Sequence, residues 1–220
     1  MSTENATTRL KNTARVRLPG AGIDALELEL FNTIVELCTE TGVWRERIER
    51  NIVANKINYD VGSVTGGSRI GYIMSLTMNG TIYQQLGADA ADIGGNTGYE
   101  LLEDFTTVRI NPAPSSNAPK ALKASITLIP TSQTTLLPDA IMALYTETIL
   151  DGLMGRMMSH VAKPYSNPDQ SRYHQRRFRA AITRIRRTVR AGNTKGSPPW
   201  IFPQQAPGRS QRNVRIRGGV

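Results

Sequence analysis

Between Arg69 and Ile129 the apolar residues follow an alternating period, and helical periods stand on either side of that stretch. A sheet must therefore form in the middle of the chain, with helices before and after it. Arg69-Ile70-Gly71-Tyr72-Ile73-Met74-Ser75-Leu76-Thr77-Met78 runs into Asn79-Gly80, a dipeptide that tolerates the positive φ values of a two-residue hairpin turn, and Thr81-Ile82-Tyr83 returns. Phe105 to Ile110 alternates and meets the loop Asn111-Pro112-Ala113-Pro114. Leu122 to Leu128 alternates again and ends at Pro130.

The flanks are helical. Ile23, Leu26, Leu30, Ile34, Leu37 and Cys38 recur at helical steps, with Asp24 and Glu27 near the positive end and Thr41-Gly42 as a stop. Leu137-Pro138-Asp139 opens a second helix, with Ile141, Leu144, Tyr145, Thr148, Ile149, Gly152 and Met157 on one face. Ser166-Asn167-Pro168-Asp169 opens a third, whose core stripe is Phe178, Ala181, Ile182, Ile185 and Val189. The fold expected is α+β: a small helical bundle of three main helices with an inserted antiparallel β subdomain and long extended termini. Residues 1–18 are expected to be a flexible N-terminal arm, 19–50 and 137–191 the bundle, 51–136 the β-rich insertion, and 192–220 an extended C-terminal arm.

Catalytic chemistry finds little support. His160 and His174 have no second His or Cys at a metal-ligand spacing. Gly62 to Ser68 has the outline of a phosphate loop, but Gly67 stands where the lysine belongs and strand-like sequence follows. Gly94-Gly95-Asn96-Thr97-Gly98 reads as a loop. Glu46 with Glu49, and Asp89 with Asp92, alternate with basic or small residues, as solvated surface carboxylates do. The expectation is a protein that is not an enzyme and holds no metal or cofactor. The single Cys38 sits on an apolar helical face and reads as a buried structural thiol. No apolar run reaches the length of about eighteen residues that a membrane span needs. Met1 to Leu18 lacks the apolar stretch of a signal peptide, so synthesis in a reducing cytoplasm is expected.

Charge is divided unevenly. Residues 1–150 carry 12 Lys/Arg against 16 Asp/Glu, and residues 151–220 carry 15 against 2, which together give the net +9. Arg172, Arg176, Arg179, Arg186 and Arg190 fall along a face adjacent to the core stripe of the third helix, while Arg176, Arg177, Arg184 and Arg187 are expected on different sides of the helix, so no single groove-facing surface is specified. They fit contacts with acidic surfaces of neighbouring subunits, or phosphate contacts on nucleic acid. Beyond Gly192 the sequence is rich in Pro, Gly, Gln and Arg, with one apolar bead, Trp200-Ile201-Phe202, between prolines. Such a bead fills a partner's pocket in the manner of an aromatic anchor. Val214-Arg215-Ile216-Arg217 alternates and suits addition to another chain's sheet edge.

Several of these segments resemble one family. Leu18-Pro19-Gly20 followed by Glu36-Leu37-Cys38-Thr39-Glu40-Thr41-Gly42-Val43-Trp44-Arg45-Glu46 looks like the opening of phage head-to-tail adaptors, the tail tubular protein A-like connectors. Tyr59-Asp60, then Leu137-Pro138-Asp139, then Lys163-Pro164-Tyr165-Ser166-Asn167-Pro168 before Tyr173-His174-Gln175-Arg176-Arg177-Phe178, follow in the family's order. The resemblance spans roughly residues 18–191. It implies a structural virion protein at the head–tail junction: a ring of about twelve copies beneath the portal that joins capsid to tail and extends the channel for DNA ejection. The implied partners are the portal protein, the tail nozzle or next tail component, other copies of the chain, and viral DNA passing without sequence-specific contact. Trp200, Ile201, Phe202, Val214, Arg215, Ile216 and Arg217 would then form the portal-binding arm, and Arg172, Arg176, Arg179, Arg186 and Arg190 would face subunits or the lumen. The rival expectation is a basic nucleic-acid-binding protein that uses residues 171–190 as its contact helix.

Overall fold

The computed structural model of the chain describes residues 6–62, 67–86, 97–131 and 137–191. Seven strands form one sheet: β1 (Arg45–Ile52), β2 (Asn58–Asp60), β3 (Ser68–Met78), β4 (Thr81–Gln85), β5 (Gly98–Leu101), β6 (Thr107–Asn111) and β7 (Ala118–Pro130). Their order is β1-β7-β3-β4-β5-β6-β2, and every pair is antiparallel except β4 with β5. The expected hairpin forms where Asn79 and Gly80, both at positive φ, turn β3 into β4.

Two bulges bend β3. Ile70 faces Leu128 and Tyr72 faces Thr127, so β3 has one extra residue there; Ile73 faces Ile126 and Ser75 faces Ser125, which adds a second. Each bulge increases the local twist and curvature of its strand. They also reset the side-chain alternation, so Ile70, Ile73, Leu76 and Met78 are all buried despite their uneven spacing. The first bulge has a side-chain lock. The Thr127 hydroxyl accepts from the Tyr72 amide and donates to the Tyr72 carbonyl, both at 3.0 Å.

The curl brings the two edge strands together. Arg50 on β1 donates to the carbonyls of Asp60, at 2.9 Å, and Gly62, at 3.4 Å, just beyond β2. The sheet is therefore a nearly closed, barrel-like body. This corrects the expected fold. The β part is not a small insertion in a helical bundle, and residues 45–50, assigned to that bundle, are already strand β1. In Arg45-Glu46-Arg47-Ile48-Glu49-Arg50-Asn51-Ile52 the apolar residues are four apart, a spacing that a helix accommodates as well as a strand.

The helices are α1 (Ala6–Arg17), α2 (Ile23–Thr41), α3 (Asp139–Leu144), α4 (Thr146–Met157) and α5 (Pro168–Arg190). α2 packs on α4, α5 and β7, and one continuous apolar core joins helices to sheet. Its Leu26, Leu30, Ile34 and Leu37 are all but fully buried, and burying each contributes about 1.5–3 kcal/mol. Gly42 ends α2 in the left-handed region, φ 61°, with its amide on the Cys38 carbonyl at 2.8 Å. The second helix expected from the sequence is broken into α3 and α4 at Tyr145. The Thr146 hydroxyl donates to the Met142 carbonyl there, a local alternative to the helical ladder.

Residues 1–18 were expected to form a flexible arm, but residues 6–17 are helical. Leu10, Ala14 and Leu18 make a thin buried stripe at four-residue steps, and α1 packs on α2, α3 and α4. Lys11 and Glu27 form an ion pair at 2.6 Å that ties α1 to α2. One Leu, one Ala and one Leu among Thr, Asn and Arg are too few to show a helical face in sequence.

Candidate interaction surface on the last helix

Asn167 starts α5 by accepting the Gln170 amide on its side chain at 3.1 Å, and Pro168 follows in the first turn, where its missing amide costs nothing. The helix lies close against α4 because α4 presents two glycines. A β-carbon on Gly152 would stand 2.4 Å from Thr33 Cγ2 and 3.0 Å from the Phe178 ring. The carbonyl of Gly155 accepts from Ser171 Oγ at 2.6 Å and from Gln175 Nε2 at 3.2 Å.

Charges lock the same interface. Asp151, 7% exposed, accepts from His174 Nδ1 at 2.8 Å and pairs with Arg177 Nε at 3.1 Å. His174 is thus a residue of the α4–α5 interface. On the other side of α4, Arg156 pairs with Glu36 at 2.5 Å and with Glu29 at 3.7 Å, and His160 Nε2 is 3.3 Å from Glu29. At the far end, Arg186 takes the Glu40 carboxylate and donates to the Glu40 carbonyl at 2.7 Å. Arg45 donates to the carbonyls of Val189 and Gly42. Carbonyls at helix C-termini carry partial negative charge, so these two arginines neutralise the ends of α2 and α5 together.

These contacts sort the arginines. Arg186, expected on a subunit or lumen face, is engaged inside the chain, as is Arg177. Among the described residues Arg172 meets only Asp169, one turn earlier on α5, at 3.7 Å and with both groups exposed. Arg176, Arg179, Arg184, Arg187 and Arg190 are exposed and have no partner among the described residues. Contrary to the expectation that Arg187 and Arg176 fall on different sides, position 187 shares a flank of the continuous helix with 172, 176, 179 and 190, turned away from the buried stripe of Ser171, Phe178, Ile182, Ile185 and Val189. The result is a basic face held on a rigid backing. Trp200, Ile201, Phe202, Val214, Arg215, Ile216 and Arg217 lie outside the described residues.

The residues that anchor α5, namely Arg45, Asp151 and Glu40, were not expected to act together. Asp151 carried the one available signal, as the single charged residue between Glu147 and Arg156 in α4. Among the described residues no group of three or more His, Cys, Asp and Glu is arranged to hold a metal, and no helix is long and apolar enough to cross a membrane. Cys38 is buried, and burial pushes its thiol pKa up to about 12. No protein-family profile matches the chain, and no curated protein is significantly similar to it.

Proposed function

We propose that this chain is a structural virion protein, a head-to-tail adaptor whose copies form a ring beneath the portal, join capsid to tail and extend the DNA channel. It acts through contact surfaces and not through catalysis. Its partners are the portal protein, the next tail component, other copies of itself and the DNA that passes through. The sequence blocks between Leu18 and Phe178 supply the family resemblance. The observation that carries the proposal is the anchorage of the last helix. Residues 192–220, with the apolar bead Trp200-Ile201-Phe202, follow directly on an α5 end that Arg45 and Arg186 fasten to β1 and α2. A segment gripped by the portal at that bead would transmit load straight into the sheet and helices.

The test is co-sedimentation of the full chain with the portal ring encoded beside it. Wild type is expected to pellet with the ring, and the double variant Trp200→Ala, Phe202→Ala to remain in the supernatant while keeping its circular dichroism. Equal attachment of the double variant would remove the portal-arm assignment, and no attachment of either chain would remove the adaptor proposal.

A further inference from the structure

We infer that the outward face of α5 is a sequence-independent contact surface for the phosphate backbone of a nucleic-acid duplex. Arg176, Arg179, Arg187 and Arg190 form its centre. Arg176 with Arg179, and Arg187 with Arg190, stand one helical turn apart, an arrangement in which like charges destabilise an isolated helix. None of the four has an acidic partner among the described residues. The helix tolerates them because its opposite side is fixed by packing and by Asp151, Glu40 and Arg45. A polyanion laid along the stripe relieves that repulsion. From position 172 to position 190 the stripe runs for about 27 Å at 1.5 Å per residue. A duplex offers one negative charge per about 1.7 Å of its axis, enough to match the stripe along its whole length.

Two observations favour a duplex over the alternatives. The first concerns a second copy of the chain. α2 is the helix with the most acids, but Glu27 is taken by Lys11, Glu29 and Glu36 by Arg156, and Glu40 by Arg186. Only Asp24 is left on that helix without a partner among the described residues, so α2 offers a neighbouring α5 no acidic stripe. The second concerns single strands, which need aromatic platforms for their bases. Tyr173 is the exposed aromatic of α5, and Arg177 already lies over its ring, 5.6 Å from the centroid. What α5 presents is charge without stacking, which suits phosphates and leaves base sequence unread. This surface does not depend on the adaptor proposal, since it needs no portal and no ring.

The experiment measures fluorescence anisotropy of the full chain with labelled duplexes of two unrelated sequences over a range of salt concentrations. Wild type is expected to bind both duplexes alike, with affinity falling steeply as salt rises. Arg176→Gln, Arg179→Gln, Arg187→Gln and Arg190→Gln in one chain should flatten the slope of log K against log salt by about 3.6, at about 0.9 per lost phosphate contact. Arg→Lys at the same four positions should retain the slope. A tail variant with the same loss of charge, Arg209→Gln, Arg212→Gln, Arg215→Gln and Arg217→Gln, should retain it too. Unchanged slope in the α5 variant, or equal loss in the tail variant, overturns the assignment. So does competition by polyglutamate as effective as that by unlabelled duplex, which would mark the face as a dock for an acidic protein. Portal binding without duplex binding would defeat this surface and leave the adaptor proposal standing; the reverse result would do the opposite.

Discussion

The guanidinium of Arg45 donates to the carbonyl of Val189, joining the first residue of β1 to the last turn of α5 across 144 positions of chain. The same side chain reaches the Gly42 carbonyl through Nε at 3.2 Å, so one cation serves the C-terminal ends of two helices.

Replacing Arg45 by Met keeps the aliphatic stem and removes both donors. The expected cost is about 1.5–3 kcal/mol, the range for hydrogen bonds that involve a charged group. Urea unfolding should show a lower midpoint at an unchanged m-value, and amide exchange should quicken in the last turn of α5. An unchanged midpoint would mean that Arg45 merely lies beside the helix end.

Gly152→Ala sets two effects against each other. Alanine is favoured over glycine in a helix by about 0.8–1 kcal/mol. The new methyl would meet Thr33 Cγ2 at 2.4 Å and Phe178 at 3.0 Å, and overpacking of that kind costs about 1–3 kcal/mol. Packing is expected to win, with a net loss in thermal unfolding that Thr33→Ser in the same chain partly restores. A stabilised Gly152→Ala variant would show that α4 and α5 have room to part.

Cys38 gives a pH dependence of definite sign. Its folded pKa is raised to about 12, above the ordinary thiol value of 9.0, because burial penalises the thiolate. Above about pH 9 the unfolded chain loses this proton and the folded chain keeps it. The unfolded state then binds fewer protons, so the Cys38 contribution lowers stability as pH rises from about 9 towards 12 and is flat below that window. Cys38→Ala should reduce that alkaline slope. At pH 8 iodoacetamide should label the native chain far more slowly than the urea-unfolded chain, and equal rates would contradict the burial.

Legibility in the sequence followed the number of residues that make each signal. α2 and α5 have long apolar stripes with capping residues at their ends, and Asn79-Gly80 fixes its hairpin locally. β1 has two isoleucines among charges, and it is a strand only because β7 lies beside it. β3 could be recognised as extended, but its buried residues fall at steps of three because Gly71 and Met74 are the extra residues of two bulges. Nothing local in Thr127 says that its hydroxyl will close one of those bulges. On α5 the positions of the arginines were plain from the start. Which of them are free depended on Glu40 and Asp151, acids that only the folded chain brings alongside.

Arg50, which bridges the seam between β1 and β2, bears on how the chain behaves in solution. An open sheet edge is a template that any identical edge can extend, and repeated extension leads to fibres. Here the two edges face each other, and one guanidinium occupies the carbonyls of Asp60 and Gly62 between them. Strand-by-strand growth therefore has no ready starting point at the seam.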